Sequence, residues 1–214
     1  MPFTSNPIDV ANRLDELGWH PDWLMEVVHA MVNARNDCTE NDPLGAGGWM
    51  AWKTGTRRLR EIGRPLGLEK NDADGIPSLI DRRRGLKFTV TNTDDGTAIR
   101  DRIPQNNNRK GPGLTRIIQT NQTSLFEMMD APHQVVPIST IRKQPGVILC
   151  WHLCVYNEID DIRAELSCPV AVDGGYFIDF VERLKLIGPE DGGADVRRKL
   201  PDDDSEFDIP VIRK

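Results

Sequence analysis

Cysteine is scarce in this chain, with four in 214 residues, at Cys38, Cys150, Cys154 and Cys168. None forms a C-x-x-C pair, which argues against a disulfide scaffold or a zinc knuckle, and a reduced cytosolic setting is expected. Histidine is equally sparse, and His20, His29, His133 and His152 are scattered. No apolar run approaches the roughly 18 residues of a membrane span. The first residues, Met-Pro-Phe-Thr-Ser-Asn-Pro, carry neither a basic nor an apolar leader region, so no membrane partner is expected. GxGxxG, Walker A, GxSxG and HExxH are all missing, which removes the commonest nucleotide-fold, hydrolase and zinc-protease readings. The expectation is a protein without cofactor or metal and without a catalytic motif.

What is present suits a folded globule: 38% hydrophobic and 28% charged residues, with a mean hydropathy of -0.46. Three helices are expected in the first 66 residues. Asn6 is placed to cap the first, Pro7 to occupy its first position, and Gly18 to end it after the stripe Val10, Leu14, Leu17. Pro21 opens a second helix, whose Leu24, Val27, Val28 and Met31 recur at helical spacing. A glycine-rich connection over 36–48 leads to a third, from about Trp49 to Ile62.

Beyond residue 66 the texture changes to strand. Leu86–Thr91 alternates and is rich in β-branched residues, and the turn residues 92–96 close it. Residues 98–113 are polar and read as a long mobile loop, and 114–126 as a short helix. Over 147–156 and 162–172 two strands alternate cleanly. Pairing Glu158 with Asp161 sets 152 opposite 167 and 154 opposite 165, with both apolar sets on one face. Asp173-Gly174-Gly175 marks another hairpin into 176–187, which is read as a strand. The expected fold is therefore α+β, an N-terminal three-helix layer packed with a C-terminal antiparallel β-meander. Residues 1–187 form one domain, helical to 66 and sheet-rich after, followed by an acidic flexible tail over 188–214.

The net charge of -6 conceals a division. Residues 53–116 hold 15 basic and 8 acidic side chains, a net of +7, against 12 and 25 elsewhere, a net of -13. Lys53, Arg57, Arg60 and Arg64 fall at spacings of 4, 3 and 4, which confines them to one helical face bordered by Trp49. Arg82, Arg83, Arg84 and Lys87 flank the next strand, and Arg109 and Lys110 sit in the glycine-rich loop. Gathered together, these would form an anion or nucleic-acid surface with Trp49 for stacking; the plainer alternative is a solvated helix face.

Other constellations carry less. His152, Cys154, Glu165 and Ser167 should neighbour one another, but two residues on one strand rarely build a thiol dyad, so a covered sheet face is expected there. Asp94 and Asp95 end a strand where metal-dependent nucleases place acidic ligands, with Glu182 and Lys185 as the available partners. Asp72-Ala-Asp74-Gly75 starts like a calcium loop, yet Arg82 and Arg83 occupy its far end. Phe207, Ile209 and Val211 sit among acidic residues, a composition suited to docking on a protein partner. Residues 202–212 resemble the acidic tails of bacterial single-stranded-DNA-binding proteins. The terminal phenylalanine of those tails is absent here, and their function is not carried over.

Function is thus expected to be non-enzymatic binding of nucleic acid or another phosphate-bearing partner through the basic centre. A protein–protein adaptor using the tail is the alternative, and a phosphodiesterase around Asp94 and Asp95 a further one.

Overall fold

Asn6 caps the first helix, accepting from the backbone N–H of Ile8 at 2.9 Å and Asp9 at 3.3 Å, and Gly18 closes it at φ 84°. That helix, α1 (Pro7–Leu17), is followed by α2 (Pro21–Asn36) and α3 (Ala46–Gly63). The computed structural model describes residues 2–109, 111–113, 115–118, 121, 148–158 and 161–191. Helix α3 begins three residues earlier than its sequence pattern implies. Gly45 enters at φ 84°, and the carbonyl of Gly48 accepts from Asn92 Nδ2 at 2.7 Å, so tertiary contact overrides the poor helix propensity of Ala46-Gly47-Gly48. Helices α2 and α3 approach closely because Gly55 has no side chain; a Cβ there would run into Met31.

Seven strands form one sheet: β1 (Phe3–Thr4), β2 (Glu69–Asn71), β3 (Ser78–Asp81), β4 (Leu86–Asn92), β5 (Leu149–Glu158), β6 (Asp161–Asp173) and β7 (Tyr176–Ile187). Their order is β1-β7-β6-β5-β4-β3-β2. The chain is α+β; β5, β6 and β7 are antiparallel neighbours in sequence order, but the seven-stranded sheet as a whole is mixed. β4 runs parallel to β5, with Phe88 beside Trp151, and β1 runs parallel to β7, with Phe3 beside Arg183. A parallel neighbour needs a long crossover, and residues 93–148 supply it. The expected register of β5 on β6 holds, with His152 opposite Ser167, Cys154 opposite Glu165 and Glu158 opposite Asp161. Residues 176–187 are strand, as read. Among the described residues no helix is long and apolar enough to cross a membrane.

Alternation divides the sheet into two faces. Phe88, Val90, Trp151, Leu153, Ala164, Leu166 and Leu184 share one core with Leu14, Leu24, Val28, Met31 and Leu59 of the helices. The other face carries Thr89, Thr91, Cys150, His152, Cys154, Glu165, Ser167 and Arg183, all buried. Part of the crossover covers it, with Ile118 packing on Cys154, Phe177 and Phe180. Pro169 interrupts β6 at a register shift and has no N–H to donate. Asn121 completes the local hydrogen bonding, accepting from Cys150 N at 3.0 Å and donating to Pro169 O at 2.8 Å.

The stretch expected to be a mobile loop is tied down over 98–109. Arg183 and Glu165, both fully buried, pair through Nε–Oε1 at 2.7 Å and Nη2–Oε2 at 2.5 Å. Arg183 spends its other donors on the carbonyls of Gly96, Ile99 and Arg102, and Glu165 accepts from Ala98 N at 2.7 Å and Ser167 Oγ at 2.6 Å. Asn106 extends the fastening by donating to Gly175 O at 2.9 Å and accepting from Phe177 N at 3.1 Å. Removing one member of such a pair leaves a buried charge uncompensated, at a cost of about 3–5 kcal/mol. Glu165→Leu is therefore expected to lower the urea midpoint steeply, and adding Arg183→Met to recover part of the loss. A Glu165→Leu chain as stable as the parent would show that the pair is not the fastening.

Candidate functional site

The basic face of α3 exists, and it lines an open cleft. Lys53, Arg57, Arg60 and Arg64 border a space of about 750 Å³ together with Trp52, Thr56, Glu61, Pro65, Lys70 and Pro77. Five cations thus face one carboxylate. Helix periodicity sets four of the five in a row, and β2 brings Lys70 across to them. Trp49 stands at the end of the stripe, 57% exposed, with Lys53 Nζ 5.3 Å from its ring centroid.

The cations differ in what they already hold. Arg60 Nη2 donates to Asn71 O at 3.1 Å and pairs with Asp72, which also pairs with Lys70 at 3.1 Å. The Arg60 hydrogen bond, then that from Lys70, holds the Asp72 carboxyl below its ordinary range. The stretch that starts like a calcium loop is thereby used as a clamp between α3 and β2. Arg57 reaches Glu61 at 3.6 Å with both side chains largely exposed, a contact worth little in water. Lys53 and Arg64 have no acidic partner among the described residues.

Two further atoms mark the cleft. Thr56 Oγ1 and Arg60 Nε are buried and have no hydrogen-bond partner, and Thr56 is only 7% exposed. A buried polar atom left unpaired costs about 1–3 kcal/mol, so it is ordinarily satisfied by something. Both atoms belong to residues lining the cationic cleft but are themselves covered, so a ligand there reaches them only if neighbouring side chains shift. Trp52 and Thr56 run back from Arg60 at four-residue spacing, a branch from the stripe that the charge pattern hides. Lys70 and Pro77 are visible only once β2 and β3 are in place.

The remaining basic residues do not join this cleft. Arg82 pairs with Glu69 at 2.7 Å. Arg83 and Arg84 line a separate hollow of about 440 Å³ beside Trp19 and His20, where Arg84 also pairs with Asp81 at 2.7 Å. Burial alone would raise the Asp81 carboxyl; the Arg84 side chain and backbone N–H, with the charge of Arg83, outweigh it and hold the group below its ordinary range. Lys87 is buried in β4 beside Cys150, on the sheet face away from the helices. Arg109 lines another hollow with Arg116 and Gly174-Gly175. Lys110 lies outside the described residues, as do Phe207, Ile209, Val211 and the tail from 192 onward.

Asp94 and Asp95 are occupied structurally. Asp94 Oδ1 accepts from Gly96 N at 3.1 Å and Gln105 N at 3.0 Å, while Asp95 grips Arg102 with both oxygens, at 2.6 and 2.7 Å. Glu182 is held by Arg13 at 2.9 Å, and Lys185 pairs with Glu190 and Asp191. Among the described residues no group of three His, Cys, Asp or Glu is placed to hold a metal ion. On the buried face, His152 Nδ1 meets Thr91 Oγ1 at 2.9 Å and its Nε2 lies 3.7 Å from Cys150 Sγ. Burial pushes the Cys150 thiol up to about 12 and the Cys168 thiol well above its ordinary value. Both shifts favour the protonated thiol over the thiolate that nucleophilic attack requires.

No known protein-family model matches the chain, nor does any curated protein or solved structure.

Thiol accessibility follows directly from these burials. With a disulfide-exchange reagent at pH 8, the half-buried Cys38 is expected to react alone in the native chain. Cys150, Cys154 and Cys168 should react only after denaturant is added. Fast release from more than one thiol in native buffer would contradict the buried-face assignment.

Proposed function

We propose that this chain is a non-enzymatic binding protein that takes the phosphate groups of a single-stranded nucleic acid along the α3 cleft. The observation that carries this reading is the convergence of five cations on one cleft. Phosphate contacts supply charge-dependent affinity without sequence information. The exposed Trp49 beside Lys53 adds a stacking platform, which favours a strand with accessible bases over a duplex. The acidic surplus outside residues 53–116 disfavours anion binding by the rest of the chain.

A fluorescent oligothymidylate and a duplex of equal length, titrated between 50 and 200 mM salt, test the reading. If about three phosphates are neutralised on the strand, log affinity should fall against log salt with a slope near -2. Arg57→Glu with Arg64→Glu leaves the Arg60–Asp72 clamp intact and is expected to weaken binding about tenfold or more. Binding that ignores both salt and the charge reversals would remove the cleft from consideration.

A further inference from the structure

Beyond Trp52 lies a second, more enclosed cavity of about 350 Å³. Trp52 and Pro77 line both spaces, so the cationic cleft and the inner cavity meet at that ridge. The inner cavity has an apolar side of Trp52, Ile76 and Pro77 and a polar side that includes Thr89, Thr91 and His152. Its size lies near the lower end of ligand pockets, roughly 300–1,000 Å³, which suits one heterocycle rather than a larger molecule.

The polar side is already ordered. Thr89 Oγ1 donates to Pro77 O at 2.9 Å, and Thr91 Oγ1 bonds His152 Nδ1 at 2.9 Å. The His152 ring is itself braced edge-on by Phe177, at 5.1 Å between centroids. Each hydroxyl carries one donor and two lone pairs, so Thr89 keeps acceptor capacity after its bond to Pro77. Gly111 and Gly113 border the same cavity. A planar ring with polar edges finds an aromatic wall on one side and fixed hydrogen-bonding groups on the other.

Two adjoining spaces of such different chemistry call for a ligand with two ends. We infer that the inner cavity seats the base of a nucleotide whose phosphate lies in the α3 cleft. The base stacks on Trp52, and the phosphate lies among Lys53, Arg57 and Arg64 of the cleft. This inference rests on the phosphate reading of the cleft and adds to it the class of group beyond the phosphate. The nucleotide is either free or one unstacked unit of a strand, and the chemistry of recognition is the same.

Calorimetric titration of the full chain with the four ribonucleoside monophosphates, ribose 5-phosphate, an oligonucleotide and the same oligonucleotide carrying abasic sites tests it. At least one monophosphate should bind about tenfold or more tighter than ribose 5-phosphate, the scale of one base stacked on an aromatic ring. Trp52→Ala should abolish that advantage. Gly111→Trp should do the same by plugging the mouth from an exposed position where a Cβ meets open space, so it carries the test if Trp52→Ala does not fold. Gly111→Trp, which lies outside the phosphate cleft, should leave ribose 5-phosphate affinity within about twofold. Monophosphates tighter than any strand identify a free nucleotide, and the intact strand tighter than both the monophosphates and its abasic counterpart identifies an unstacked unit; either supports the base seat. Equal affinity for every monophosphate and ribose 5-phosphate, together with equal affinity for intact and abasic strands, overturns the base seat but leaves the cleft reading standing. No binding of any phosphate compound overturns both.

Discussion

The buried pair of Glu165 and Arg183 is the constraint from which the far side of this molecule is built. A guanidinium with no access to water must place every donor, and Arg183 does so on one carboxylate and three carbonyls of the segment after β4. That requirement holds residues 96–102 against the sheet, and the rings of Phe3 and Phe180 lie 5.0 and 5.8 Å from the guanidinium carbon. Three pieces of chain remote in sequence are thereby fixed at one point. The geometry includes Ala98 at φ 59°, a conformation that a non-glycine residue adopts only when its surroundings demand it, and the N–H of Ala98 is the one Glu165 accepts.

Helices cover one face of the sheet, part of the crossover packs on the other, and the α3 cleft opens at the rim. The α3 cleft lies where the helix passes β2 and β3, at the edge of the core against which Trp52 packs. Four of the cleft's five cations sit on a helix and the fifth on β2, with Arg60 and Lys70 both held by Asp72, so much of their spacing is set before any ligand arrives. Such an arrangement limits the ordering that binding must impose on long side chains. The inner cavity borrows its polar side from the buried face, through Thr89, Thr91 and His152. The Trp52 ridge is thus where the outer rim and the covered interior come closest.

Local signals in the sequence proved readable, and remote ones did not. Asn6, Pro7 and Gly18 bound α1 because capping is decided within a few residues. The β5–β6 register follows from alternation and a tight connection, since a slip of one residue would turn both apolar sets outward. By contrast, β1 and β2 are two and three residues long, too short for any period to show. The parallel placement of β4 beside β5 depends on how the crossover packs, and nothing near either strand announces it. At the site, four cations were legible from helical spacing. That Lys87 is buried while Lys70 joins the cleft depends on which face of each strand meets which neighbour. The polar segment over 98–109 misleads for a specific reason. Its composition is that of a loop in water, but its carbonyls are the acceptors that Arg183 and its neighbours require.

The pairing of Phe3 with Arg183 has a temporal consequence. An edge strand near one end of the chain has its partner near the other, so β1 cannot dock until β7 has been made and has folded onto β6. Contacts this distant in sequence are slow to form because a long loop must close before they add stability. Helices α1 to α3 are bounded by local signals and can begin to form earlier. The aromatic ring of Phe3, arriving late over the Arg183 guanidinium, would then act as a latch: its docking reports that the sheet beneath it is complete.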